Sequence, residues 1–189
     1  MMRLLSAALL TVSACAGEQA ETGERADAFL AAIAAHCGES YGGKVVSTDA
    51  VDADFANEAL VMQVRECSEG ALRIPFHVGD DHSRTWVLTR TEAGLRLKHD
   101  HRHEDGSEDA VTQYGGDSGA VTATRAEFPV DAYSIDMFQR EGLTASVTNV
   151  WAMEITDTMF AYELSRENRF FRVEFNLTAP VPAPPAPWG

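Results

Sequence analysis

Apolar and polar residues alternate with a period of two along two stretches of the chain, residues 60–97 and residues 151–177. The last run is the most regular, since Phe171, Val173 and Phe175 are separated by single polar residues. A β-strand shows this period when one of its faces is buried and the other meets solvent. The alternation therefore predicts strands over both stretches.

Short turn signals break these stretches into roughly eight to ten strands. The signals are clusters of small and polar residues at Ser68–Gly70, Gly79–Asp81, Glu92–Gly94 and Glu167–Asn168. Short hairpin connections favour antiparallel pairing, and a closed sheet leaves no edge exposed. We expect a mainly β fold, a single antiparallel β-barrel or strongly curled meander sheet, with a β-sandwich as the alternative.

One helix is predicted ahead of the strands, from about Arg25 to Cys37. Apolar residues such as Phe29 and Ile33 recur there at helical spacing, and Gly38 is a suitable stop. A short helix followed by a long meander resembles the lipocalin and calycin group of ligand-binding barrels. This resemblance is architectural, and it implies a ligand site inside the barrel.

The segment between the two alternating stretches carries a weaker pattern. Its glycine-rich part, residues 115–119, predicts a flexible loop. Residues 122–128 are expected to form a strand. Residues 129–140 are expected to form a short helix with Ile135 and Phe138 facing inward.

The first residues combine a short cationic start with an uncharged apolar run from Leu4 to Ala14. Such a run is typical of a secretory signal and is too short to cross a bilayer as a permanent helix. It ends in Val12–Cys15, which resembles the lipobox of bacterial lipoproteins. The resemblance implies that residues 1–14 are removed and that Cys15 is acylated. With Ala16 next, it implies export to the outer membrane, facing the periplasm. The alternative is an ordinary signal peptide that is cut nearby.

Composition divides the remaining chain into three parts. Residues 15–24 begin with the cysteine to be lipidated and continue as a small, acidic tether. Residues 25–178 are long enough for one β-rich domain with a sizeable core. Residues 179–189 hold five of the seven prolines, which favours an extended polyproline II conformation. This tail is either a ligand for a partner's aromatic groove or, as we favour, lies along its own domain with Trp188 as an anchor.

The formal net charge of the chain is −14. Removal of residues 1–14 takes away Arg3 and makes the charge more negative. Nucleic acid and anionic lipid headgroups repel such a surface, so neither is an expected partner. Contact with a membrane is predicted through the lipid anchor alone.

The chain has three cysteines. With Cys15 acylated, Cys37 and Cys67 remain as a pair, and an oxidising exported environment favours a disulfide between them. The alternative is a pair of buried thiols or a metal-binding pair. Neither cysteine has a partner at metal-ligand spacing.

Half of the chain's six histidines lie within five consecutive residues. A period of two places His99, His101 and His103 on the face that carries Leu95 and Leu97. If the leucines point into the barrel, the histidines step from the core toward the rim. Imidazoles two residues apart on a strand lie roughly 6–7 Å from each other. That spacing suits two ligands of a divalent transition metal whose third ligand comes from elsewhere.

The candidates for a third ligand lie nearby in the sequence. They are His77, His82, Asp105 and Glu108. Zinc, copper, nickel and iron all accept imidazole ligands. The alternative interpretation is a solvated polar cluster, in which the histidines pair with the carboxylates of residues 104–109.

Three functional hypotheses remain open, and the direction of His99 and His101 separates them. The first is a lipid-anchored cell-envelope barrel that binds a small ligand or a transition metal. The second is an enzyme that uses the same histidines to hold a metal, with its catalytic residues unassigned. The third is a structural or assembly lipoprotein without a small-molecule site. The first two require inward histidines, whereas the third predicts a filled interior.

Overall fold

The computed structural model describes residues 9–189, with side chains from Gln19 onward. Residues 1–8 of the predicted signal peptide lie outside the described residues, and only the backbone of the lipobox-like residues 12–15 is described. The signal peptide, its cleavage and the lipidation of Cys15 therefore stay predictions. Among the described residues, no helix is both long enough and apolar enough to span a membrane.

Within residues 9–189, eleven antiparallel strands form one sheet that curls into a nearly closed barrel. The strands are β1 Ser40–Val45, β2 Leu60–Gln63, β3 Glu66–Ser68, β4 Ala71–Val78, β5 Asp81–Thr91, β6 Gly94–His101, β7 Tyr114–Asp117, β8 Arg125–Pro129, β9 Val150–Ile155, β10 Met159–Arg166 and β11 Arg169–Pro180. Strands that follow each other in the chain are neighbours around the barrel, and the first strand, β1, also pairs with the last strand, β11. The short strand β3 is the exception, since it pairs only with β4. The predicted mainly β, antiparallel barrel is confirmed.

The barrel closes along a seam between β7 and β8. The backbone N–H of Asp131, just beyond β8, donates to the carbonyl of Gly115 at 2.9 Å. A Cβ placed on Gly116 would lie 1.8 Å from the carbonyl oxygen of Pro129, so only glycine fits there. The prediction of a flexible loop over residues 115–119 was therefore wrong for its first part. Gly115 and Gly116 lie in a strand, where their small size lets two backbones approach each other.

Three α-helices lie within the described residues: α1 Leu9–Ala34, α2 Ala53–Ala56 and α3 Ala132–Arg140. Helix α1 begins before the predicted start at Arg25, so residues 16–24, the predicted tether, are helical in the structure. It ends at Ala34 rather than at Cys37, and the chain leaves it through a turn in which Gly38 has a φ of 88°. Glycine adopts this left-handed conformation without strain.

Helix α1 closes one end of the barrel. Ala26, Phe29, Leu30 and Ile33 are buried on one helical face, at the spacing that a core-facing helix requires. A disulfide joins Cys37, just beyond the helix, to Cys67 in β3, as predicted. Its sequence separation of 30 residues corresponds to about 3–4 kcal/mol of stabilisation in the chain-entropy model.

The other end of the barrel, here called the mouth, carries the long connections. There are three of them: residues 46–59, which contain α2; residues 102–113; and residues 130–149, which contain α3 and the 3-10 helix Thr144–Thr148. The hairpin turns at the α1 end are short, which leaves that end to the helix. Irregular segments are therefore concentrated around the mouth, where side chains that bind ligands are commonly found.

The proline-rich tail lies along the outside of its own barrel, as favoured above. The N–H of Val181 donates to the carbonyl of Ser40 at 2.8 Å, and the N–H of Trp188 donates to the carbonyl of His82 at 3.1 Å. Val181, Pro184 and Pro187 are half-buried at every third position, whereas the residues between them are exposed. One buried face every three residues is the period of a polyproline II helix lying on a surface.

Candidate functional site

A cavity of about 280 Å³ lies inside the barrel beneath the mouth. Its lower walls are the rings of Trp86, Trp151 and Tyr162, together with His99 and His101 of β6. Below them the interior is filled by fully buried aliphatic residues of the neighbouring strands: Ile74, Leu88, Leu95 and Leu97. The inward direction predicted for His99 and His101 is therefore observed, and the two side chains line the cavity.

His99 is fully enclosed and makes hydrogen bonds with both ring nitrogens. Its Nδ1 lies 3.0 Å from the carbonyl oxygen of Tyr114, and its Nε2 lies 2.7 Å from the hydroxyl of Tyr162. Because a carbonyl only accepts, Nδ1 carries the proton, and Nε2 accepts from the Tyr162 hydroxyl. Burial lowers the pKa of His99 to about 3, so the ring is neutral at ordinary pH.

His101 lies nearer the mouth on the same face of β6. Its Nε2 is 3.0 Å from the hydroxyl of Tyr114. Burial, followed by the positive charge of Arg84, lowers the pKa of His101 to about 4. Both inward histidines therefore present neutral, hydrogen-bonding rings to the cavity.

Stacked aromatic rings hold these walls in place. The Trp86 and Tyr162 rings stack with their centroids 4.5 Å apart, and those of His99 and Tyr114 stack at 4.4 Å. Trp151 packs against His99 at 5.2 Å. Packed aromatic side chains have few accessible rotamers, so the cavity has flat and largely preformed walls.

Three arginines line the upper part of the cavity: Arg84, Arg166 and Arg169. Arg84 pairs with Asp81 at 2.5 Å, and Arg169 pairs with the buried Asp52 and, at 3.1 Å, with Asp49. Arg166 instead donates to the side-chain oxygen of Asn149 at 3.0 Å. Two of the three cations are thus neutralised by the protein itself.

The other histidines lie away from the cavity. Phe76 points into the barrel, so its neighbour His77 points outward, where it packs against His82 with ring centroids 4.5 Å apart. His103 lies beyond the end of β6 and is exposed, with Nε2 3.9 Å from Asp109. The structure therefore brings together His99 and His101, but not His77, His82 or His103 with them.

The acidic candidates for a third metal ligand also lie outside the cavity. Asp105 accepts hydrogen bonds from Ser107, and Glu108 pairs with Arg102 at 3.1 Å. This part of the segment matches the interpretation as a solvated polar cluster. Within the part of the chain whose side chains are described, no three His, Cys, Asp or Glu side chains gather at a point that could hold a metal ion. The metal and metalloenzyme hypotheses gain no support from this geometry.

Several cavity residues were not singled out from the sequence. The inward positions of the alternating runs include Trp86, Trp151 and Tyr162, so the period of two could have indicated that these side chains point into the barrel. Arg166 also falls on the inward face of β10, where a charge interrupts an apolar row. Asn149 lies at the end of a long connection, where no periodic pattern indicates the direction of a side chain.

No protein-family model, curated protein or solved structure matches this chain. The resemblance to the lipocalin and calycin group therefore stays a prediction from the sequence, and the function has to be inferred from the cavity.

Proposed function

We propose that this chain is an exported, lipid-anchored barrel of the cell envelope that binds a small ligand in the cavity beneath its mouth. The observation that carries the proposal is the cavity of about 280 Å³ among preformed aromatic walls. An apolar protein cavity of about 150 Å³ accepts a benzene molecule. The cavity of this barrel therefore has room for a ligand of about two fused aromatic rings.

The deepest polar group of the cavity, His99, supports binding rather than chemistry. His99 is neutral, and its two ring nitrogens are occupied by Tyr114 and Tyr162. A general base needs a free lone pair within reach of the substrate, and His99 has none to offer. The site thus supplies mainly apolar surface with few open hydrogen-bonding groups, which suits the apolar part of a ligand.

Calorimetric titration of the full-length chain tests the binding proposal, with 2-naphthamide as a neutral probe and 2-naphthoate as an anionic one. We expect at least one of them to bind with a stoichiometry near one. Replacing Leu164, which lines the cavity, by Trp should weaken that binding at least tenfold because the larger ring fills the site. Val87→Trp is the matched control, since Val87 lies on β5 beside the inward Trp86 and faces outward. Absence of binding by both probes, or equal loss in both variants, would refute the proposal.

The anchor is supported by the sequence Val12–Cys15 at the end of an apolar run. A bacterial host grown with radiolabelled palmitate tests it directly. We expect the wild-type chain to incorporate label and Cys15→Ser to incorporate none. Cys37→Ser, which removes a different cysteine, should stay labelled. An unlabelled wild-type chain would refute the anchor and would not affect the cavity proposal.

A further inference from the structure

Among the residues whose side chains are described, Arg166 is the cation of the cavity that has no carboxylate partner. It is the last residue of β10 and lines the cavity at the mouth. Among residues 19–189, no carboxylate oxygen lies within 4.0 Å of its guanidinium. Arg84 and Arg169 line the same cavity, and each has a carboxylate partner. A half-buried guanidinium without a counter-ion in a strongly acidic chain favours an anion beside it.

Two further hydrogen-bond donors accompany Arg166 at the cavity wall. Asn149 turns its side-chain oxygen to Arg166, because a guanidinium only donates, and this leaves the amide NH₂ of Asn149 as a donor. Ser146 also lines the cavity, and its hydroxyl can donate a hydrogen bond. The backbone fixes both residues, since the N–H of Asn149 donates to the carbonyl of Ser146 at 3.2 Å and that of Val130 donates to the carbonyl of Asn149 at 2.9 Å.

The other charged side chains of the cavity are paired, Arg84 with Asp81 and Arg169 with Asp52 and Asp49. His99 and His101 are neutral for the reasons given above, and apolar side chains such as Leu143 and Leu164 line the rest of the site. One end of the site is thus a corner of three donors around a guanidinium without a carboxylate partner among the described residues, and the rest of the lining is mainly apolar. A guanidinium matches the two oxygens of a carboxylate in a bidentate pair.

We propose that the ligand of the cavity is a small aromatic monoanion, with its carboxylate at Arg166, Asn149 and Ser146 and its rings against the apolar part of the lining, which includes Leu143 and Leu164. This inference rests on the proposed function, because it assigns a chemical class to the ligand of the same cavity. The carboxylate lies toward the mouth, where it keeps part of its hydration, and the rings lie below it.

A pair of isosteric probes tests this assignment. At pH 7, 2-naphthoate carries a negative charge and 2-naphthamide carries none, although their rings are the same. We expect the wild-type full-length chain to bind the naphthoate at least tenfold more tightly than the naphthamide. Arg166→Met keeps an unbranched side chain and removes the charge. This variant should lower the affinity for 2-naphthoate at least tenfold and change the affinity for 2-naphthamide less than threefold.

Two more variants test whether the loss of naphthoate binding comes from the missing charge or from damage to the fold. Arg166→Lys keeps the positive charge and should retain at least part of the preference for naphthoate. Arg65→Met removes an exposed arginine that contacts Gln63 at 3.2 Å, outside the cavity, and should leave both affinities unchanged. Equal binding of the two probes to the wild-type chain, or a preference that survives in Arg166→Met, would overturn the anion assignment and leave the binding proposal intact. Binding of neither probe would overturn both.

Discussion

At the scale of single residues, burial sets the charge of three histidines. It lowers the pKa of His99 to about 3 and those of His77 and His101 to about 4. A histidine in an unfolded chain titrates near a pKa of about 6.5. Between these values the unfolded chain binds protons that the folded chain does not bind. The free energy of unfolding therefore falls as the pH drops from about 7 toward about 4.

Replacing His99 by Gln tests this linkage, since glutamine keeps a donor and an acceptor but does not titrate. Each buried histidine is expected to lower the free energy of unfolding by about 2 kcal/mol between pH 7 and pH 5. In urea unfolding at these two pH values, His99→Gln should lose about a third less stability than the wild-type chain. His103→Gln, at an exposed position, should behave like the wild type. Identical pH dependence in all three proteins would contradict the neutral state of His99.

At the scale of elements, the proline-rich tail acts as a cover for the outer face of the barrel. Trp188 packs against His82 with ring centroids 6.1 Å apart, and His82 in turn packs against His77. His77 points outward and is nevertheless 2% exposed, and neither of its ring nitrogens has a hydrogen-bond partner among the described residues. An outward side chain becomes this buried only when another part of the chain covers it.

Removal of residues 181–189 should uncover this patch. We expect the pKa of His77 to rise from about 4 toward its ordinary value, because water regains access to the ring. The pKa of His99, which lies inside the barrel, should not change. Titration of the histidine ring protons by NMR measures both in one sample. A His77 pKa that stays low after the truncation would show that the strands, and not the tail, exclude water from it.

The alternating runs carried most of the information about the elements. Period two was sufficient for the strands within residues 60–97 and 151–177 and for the inward direction of His99 and His101, because a strand side chain has only two faces. It did not indicate β1 or β7. His77 was wrongly chosen as a candidate third ligand, although the same period puts it on the opposite face from Phe76, and in the structure it packs outside the cavity against His82. The period could not indicate that Asn149 and Ser146 line the cavity, because the long connections at the mouth are ordered by tertiary contacts. Gly115 and Gly116 were misleading for a related reason, since local composition does not show which backbone will pack against them.

At the scale of the whole molecule, closure of the barrel depends on the seam between β7 and β8. The carbonyl oxygen of Pro129 would lie 1.8 Å from a Cβ at Gly116, whereas a Cβ at Gly119 would meet only the Pro129 ring at 3.7 Å. The first contact requires the backbone to move, and the second is an ordinary van der Waals contact. An added methyl group is therefore expected to destabilise the fold at Gly116 and to be tolerated at Gly119.

Gly116→Ala should lower the free energy of unfolding by about 3 kcal/mol or more, because the added methyl forces the seam apart. Gly119→Ala should change it by less than about 1 kcal/mol. Urea unfolding measures both values. Limited proteolysis should show new cleavage near residues 115–131 in the first variant alone. Equal stability of the two variants would mean that β7 and β8 do not need to approach this closely.

With the proposed lipid anchor, the position of α1 determines which end of the barrel faces the membrane. The helix closes one pole of the barrel, and the cavity opens at the opposite pole. A chain tethered through Cys15, which precedes the packed part of α1, would rest with its sealed pole toward the bilayer. Its ligand would then arrive by diffusion through the aqueous compartment or from a soluble donor. Lateral transfer out of the lipid phase would require the whole barrel to turn over on its tether.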